Sequence, residues 1–247
     1  MKRFVLTVLV LAIWGSLSPA WSDVDSSRDP NDPNLFQFVR IRYHDYGGAF
    51  GSMRWGNGPP WMHDYPRAER NFLKILLEVT SIETTPESFL ILDMEDPRIM
   101  EYPFLYVSEP GYWNVTSKEA VNLREYFRRG GFVLFDDFRG QDDWNNLVSA
   151  MKQVLPDRSF RRLTLESPVF QCFYNIESLD VVPPYAVPGQ PAFYGLGDDQ
   201  GRLQAVANLN NDIGEYWEWS DESINPISFT NEAYKFGINY VIYSLTH

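Results

Sequence analysis

Two adjacent carboxylates, Asp136 and Asp137, directly follow the apolar run Phe132-Val133-Leu134-Phe135. At the end of a buried strand such a pair could share one proton or hold a hard cation, because like charges so close resist joint ionisation. The plainer reading is structural: one carboxylate accepts backbone N–H bonds and orders its loop, or pairs with Arg139 or Arg40. Arg40 and Arg42 lie two apart in Phe36–Tyr43, on one face of a strand, and each needs an acidic partner. Asp136 or Asp137 is the natural candidate, and an ion pair is favoured over anion binding. Asp142 and Asp143 precede a helix, where an N-cap role accounts for one of them.

A second cluster runs Asp212-Ile213-Gly214-Glu215-Tyr216-Trp217-Glu218-Trp219. Rings beside carboxylates suit a sugar cleft: the ring stacks on an apolar sugar face and the carboxylate accepts hydroxyl hydrogen bonds. Trp55, Trp61 and Tyr65 would extend such a surface. Alternatively these rings pack a loop onto the core. His44 and His63 stand beside Asp45 and Asp64, but without fixed ligand spacing, so neither a metal site nor a cofactor is expected. Cys172 sits among apolar neighbours in Val169–Tyr174 and reads as a buried structural thiol.

The elements that position these groups follow from periodicity. Phe36–Tyr43 alternates as a strand. Residues 44–64 form a long loop rich in glycine and aromatics. Pro66 opens a helix carrying Phe72, Leu73, Leu76 and Val79, ending near Thr80. Phe104–Val107 is a buried strand. Thr116 and Glu119 make a capping box ahead of a helix that Gly130-Gly131 ends. Phe132–Phe135 is the next strand, and a helix from Trp144 to Leu155 stops at Pro156. This alternation predicts a parallel sheet with helices on both faces. A hairpin, Ala192–Gly197 with Leu203–Leu209, and a final helix from Thr230 close the chain. In such sheets ligands bind beyond the carboxyl ends of the strands, so His44-Asp45, Ser108-Glu109 and Asp136-Asp137 should meet at one edge.

Composition bounds the function. The 247 residues are 44% hydrophobic and 22% charged, enough for a buried core. The net charge of −12 repels phosphate backbones overall, so no nucleic acid is expected. One cysteine excludes an internal disulfide. Residues 1–22, MKRFVLTVLVLAIWGSLSPAWS, have a basic start, an apolar stretch and a small-residue end, the pattern of a secretory signal peptide. Cleavage is expected after Ser22 or Ala20. Loss of Lys2 and Arg3 takes the net charge to −14. A flexible leader over 23–34 and a single domain over 35–247 follow. No later segment reads as a membrane span, and a periplasmic or extracellular location is expected.

Several motifs together resemble the bacterial domain-of-unknown-function family 4159: Asp64-Tyr65-Pro66 with Ala68-Glu69 and Asn71-Phe72, Tyr102–Tyr106, Gly130-Gly131-Phe132 to Asp136-Asp137-Phe138, Trp217-Glu218-Trp219, and Asn239-Tyr240 to His247. The resemblance implies a flavodoxin-like, class I glutamine amidotransferase-like three-layer sandwich, with a mainly parallel sheet and a C-terminal hairpin plus helix. Its amidotransferase relatives carry a cysteine nucleophile after the strand that Phe132–Phe135 resembles. Here Asp136 and Asp137 stand there instead, which argues against thiol chemistry.

The expectation is an exported, non-catalytic protein that binds an envelope protein or a carbohydrate. Its cleft would involve Glu109, Asp136, Asp137, Arg40, Trp55, Asp212 and Trp217. The alternative is a hydrolase of a carbohydrate or envelope polymer, with carboxylates as acid and base.

Overall fold

The computed structural model describes residues 28–46 and 58–247. The expected signal peptide over 1–22, the first part of the expected leader and Trp55 lie outside them. The described residues form a seven-stranded sheet and five α-helices. The strands are β1 (Phe38–Arg42), β2 (Phe89–Asp93), β3 (Phe104–Ser108), β4 (Phe132–Phe138), β5 (Arg161–Arg162), β6 (Ala192–Gly197) and β7 (Leu203–Leu209). The helices are α1 (Arg67–Val79), α2 (Ser117–Arg128), α3 (Gly140–Val154), α4 (Ile213–Glu218) and α5 (Ile227–Thr246).

The strand order is β2-β1-β3-β4-β7-β6-β5. The first five are parallel, and β7, β6 and β5 pair antiparallel. The inner parallel strands β3 and β4 are buried throughout, so they read as near-continuous apolar runs up to their carboxyl ends. Successive side chains alternate between two cores. Phe38, Phe104, Phe132, Leu134 and Val206 pack with Phe72 and Leu76 of α1, Trp217 of α4 and Phe236 of α5. Val39, Leu105, Val133, Phe135 and Ala205 pack with Leu123 and Phe127 of α2 and Leu147 and Met151 of α3.

Local signals hold where they are chemical. Thr116 Oγ1 accepts the Glu119 N–H at 3.1 Å and Glu119 Oε2 accepts the Thr116 N–H at 2.8 Å, the reciprocal pair that a capping box requires. Gly130 takes φ 96° just after α2, which a side chain would resist. The hairpin forms as β6 and β7.

Four expectations are corrected. β2 was not foreseen, since its Phe-Leu-Ile-Leu run follows a Thr-Thr-Pro turn and is half-buried at the sheet edge. β4 continues through Asp136 and Asp137 to Phe138 rather than ending at Phe135. Asp142 and Asp143 lie inside the first turn of α3, and Asp143 accepts the N–H of the N-cap residue Arg139 at 3.0 Å. The 212–219 segment is helical, with Asp212 as its N-cap. No helix among the described residues is long and apolar enough to cross a membrane.

Candidate functional site: an acidic pocket at the sheet edge

Side-chain alternation puts Arg40, Tyr106, Asp136 and Asn208 on the same face as Phe38 and Leu134, in a buried polar seam near the carboxyl ends of the strands. Asp136 is fully consumed there. Its Oδ2 accepts the N–H groups of Ile213 and Gly214 at 3.0 and 3.1 Å and the Tyr106 hydroxyl at 3.2 Å. Its Oδ1 accepts from Asn208 at 2.9 Å, and Tyr240 in turn donates to Asn208. The carboxylate therefore closes the N-terminus of α4, where unpaired N–H groups favour an anion. Burial pushes its pKa up to about 7, opposed by the Asn208 hydrogen bond and aided by the charge on Asp137.

Arg40 does not pair with Asp136 or Asp137. It points to the α1 side of the sheet, as its parity with Phe38 dictates, and its Nε donates to Glu69. Its Nη1 donates to the carbonyls of Trp61 and His63 at 3.0 and 2.8 Å, and its guanidinium lies 4.8 Å from the centroid of the Tyr106 ring. The buried Arg40–Glu69 pair thus fastens the turn that carries His63 and Asp64. Arg42, on the exposed end of β1, pairs with Asp93 instead.

Asp137 is turned away from the seam. Its φ is 56°, and the β4–β7 register shifts between Phe135 and Phe138. Its Oδ2 lies 2.7 Å from His63 Nδ1, and its Oδ1 accepts from Tyr185 at 2.6 Å and Arg139 at 3.0 Å. Burial would raise its pKa, but the His63 hydrogen bond and charge, Tyr185 and Arg139 outweigh that and hold it below the usual carboxylate range. Burial would likewise lower the His63 pKa, and its acidic neighbours Asp137, Asp64 and Glu109 lift it instead to about 9. The Tyr185 hydroxyl oxygen also lies 3.0 Å from Asp212 Oδ2, while Asp212 Oδ1 caps α4 by accepting the Glu215 N–H. Burial, then the charges of Asp137, Asp64 and Asp136, push Asp212 well above its ordinary pKa. Glu109 is 1% exposed with φ 51°, and its carboxylate lies 3.5 Å from Arg139.

Asp64 completes the group. Its φ is 66° and its side chain is fully buried, yet neither carboxylate oxygen meets an N–H or O–H donor in hydrogen-bonding geometry among the described residues. Its Oδ1 lies 3.3 Å from His63 Nδ1, an ion-pair contact, and a buried carboxyl without hydrogen bonds still costs free energy unless a cation or a proton compensates it. Burial pushes its pKa well above the ordinary value; His63 opposes this, and Asp137 and Glu215 add to it. One ligand atom from each of His63, Asp64, Asp137 and Asp212 falls within 4.8 Å of the others, and the same holds for Asp64, Glu215 and Glu218. A cavity of about 540 Å³ opens onto His63, Asp64, Glu215 and Glu218, walled by Met62, Tyr65 and Trp219. Carboxylates around an imidazole make a donor set for a divalent cation.

The model of the family described as "Domain of unknown function (DUF4159)" matches residues 37–245. The chain belongs to the DUF4159 family. No curated protein matches it.

Of the residues singled out in this DUF4159 sequence, the fold brings Asp137, Asp212 and Glu109 to one edge, together with His63 and Asp64. Asp136 and Arg40 adjoin the site but are occupied in holding it. Trp217 is not a cleft residue: it is fully buried, with its ring 4.5 Å from that of Phe72 and 6.0 Å from that of Tyr106. His44 leaves the edge and bonds Glu119. Two contributors were missed. Tyr185 sits in a proline-rich stretch with no periodicity to mark it. Glu69 was hidden as a polar residue on an amphipathic helix. Cys172 is remote from all of this; its Sγ donates to the Asn239 carbonyl at 3.3 Å, and burial pushes its pKa up to about 11.

Proposed function

We propose that this DUF4159 protein is an exported envelope protein that binds rather than converts its ligand, and that the ligand of its acidic pocket is a divalent cation. The observation that carries this reading is Asp64, a buried carboxylate without a donor, aimed into a cluster of His63, Asp137 and Asp212. A mixed imidazole and carboxylate set favours a first-row ion such as Mn2+ or Zn2+ over Mg2+ or Ca2+. The finer fold assignment, an amidotransferase-like sandwich of flavodoxin type, is supported by the parallel order β2-β1-β3-β4-β7, which matches the flavodoxin 2-1-3-4-5 arrangement.

Two further features favour binding over hydrolysis. The turn where an amidotransferase holds its sulfur carries Asp136 and Asp137. Asp136, one of the candidate carboxylates and the one at the end of β4 whose pKa is raised, is sealed from solvent with both oxygens engaged. Titration calorimetry with MnCl2 and ZnCl2 tests the reading. The wild type should bind, and Asp64→Asn should weaken binding roughly tenfold or more; equal heats from both proteins would refute it. N-terminal sequencing of the secreted product should begin at Asp23 or Trp21.

A further inference from the structure

Five carboxylates form two groups that share Asp64: Asp137 and Asp212 with His63, buried behind it, and Glu215 and Glu218, lining the cavity. Arg139 is the permanent cation ion-paired to one of them, 3.0 Å from Asp137. One divalent ion would leave most of that negative charge buried or half-buried without compensation. Two would compensate four of the five, with Arg139 shared between Asp137 and the buried Glu109.

The geometry divides the donors in the same way. Asp64 Oδ1 faces His63, whose Nδ1 is 3.3 Å away. Asp64 Oδ2 faces α4: a Cβ on Gly214 would stand 2.8 Å from it. Gly214 and Glu218 are four apart and share that helix face, and Glu215 and Glu218 are neighbours three apart. The Glu218 carboxyl offers an oxygen within 4.8 Å of Asp64. Two carboxyls so close need a proton or a cation between them. Asp64 Oδ1 is turned to His63 and Oδ2 to α4, and neither accepts a hydrogen bond from an N–H or a hydroxyl among the described residues, so the two oxygens can serve different ions.

We infer that the pocket holds two divalent cations side by side, bridged by Asp64, with His63, Asp137 and Asp212 on the first and Glu215 and Glu218 on the second. This rests on the cation-binding reading above. Carboxylate-bridged pairs elsewhere sit about 3.5–4 Å apart, and the second ion here would face the open cavity.

The test uses the full mature chain, Mn2+ as the probe, physiological salt, calorimetry for stoichiometry and electron paramagnetic resonance for coupling between ions. Expected are two tight sites and a spin-coupled signal in the wild type, one site and an uncoupled signal in the Glu215→Gln/Glu218→Gln double variant, and loss of both sites in Asp64→Asn. One uncoupled ion in the wild type overturns the pair and leaves the single-cation reading standing. Two ions in both wild type and double variant also overturn it, because the second ion then lies elsewhere. No tight binding in the wild type removes both readings. If the double variant does not fold, the wild-type coupling signal alone decides.

Discussion

His63 Nδ1 lies 2.7 Å from Asp137 Oδ2, although 74 residues separate them. The contact joins the turn before α1 to the end of β4 and brings the loop's imidazole into a carboxylate cluster built by the sheet. His63→Ala should therefore weaken Mn2+ binding roughly tenfold or more, as loss of a ligand or its close support does in metal sites. His44→Ala, whose ring faces Glu119, should leave affinity unchanged. Calorimetry on the two variants separates a site-specific effect from a general loss of surface charge.

Asp136 and Asp137 should separate by phenotype. Asp136→Ala strips the acceptor from Asn208, Tyr106 and two N–H groups of α4, and should cost about 3 kcal/mol. In a domain of this size that lowers Tm by roughly 6–12 °C. Asp137→Asn should also lower Tm, since it removes the buried charge that pairs with Arg139 and His63, and should in addition impair cation binding, which Asp136→Ala affects only through the position of α4. Thermal unfolding followed by circular dichroism reads the first, and calorimetry reads the second.

The Arg40–Glu69 pair is sealed between β1 and α1. Glu69→Ala leaves a buried guanidinium without its carboxylate and should destabilise by about 3–5 kcal/mol, whereas Arg40→Met with Glu69→Leu should recover most of that loss. The double variant no longer holds the carbonyls of Trp61 and His63. It should refold to nearly wild-type stability in urea yet bind Mn2+ more weakly. Unimpaired binding would show that the turn needs no such anchor.

Gly214 has no room for a side chain: an added Cβ would stand 2.6 Å from the Tyr106 hydroxyl and 2.8 Å from Asp64 Oδ2. Gly214→Ala should displace Asp64 and lower cation affinity. Gly201→Ala is the control for handling, since its φ of 83° strains the backbone but nothing lies within 4 Å of the added atom. Affinity that falls equally in both variants would dissociate the effect from the site.

Cys172 should behave as an inert thiol. Burial raises its pKa from the reference 9.0 to about 11, so below pH 9 the folded protein carries about a hundredth of the thiolate of an unperturbed cysteine. Alkylation by iodoacetamide should be correspondingly slow at pH 8 and accelerate as pH rises toward 11. Fast labelling of the native protein at pH 8, matching the urea-unfolded chain, contradicts this.

Sequence alone determined the parts that local physics controls. Apolar runs and helical spacing specified β1, β3, β4 and α1 to α3, and the Thr116–Glu119 box specified where α2 begins, because capping and burial act over a few residues. The lack of a cysteine after β4 was likewise legible. Tertiary structure decided the partners. Parity set Arg40 on the same face as Phe38, but only the packing of α1 across that face supplied Glu69 rather than Asp136. The pair Asp136-Asp137 looked chemically equivalent in the chain. The left-handed backbone at Asp137 and the register shift beside it turned one carboxylate into the seam and the other toward His63. Asp64 stood beside His63 in the chain, but nothing there marked its carboxylate as buried without a hydrogen-bond donor, because burial and donor geometry depend on everything that surrounds a group in space.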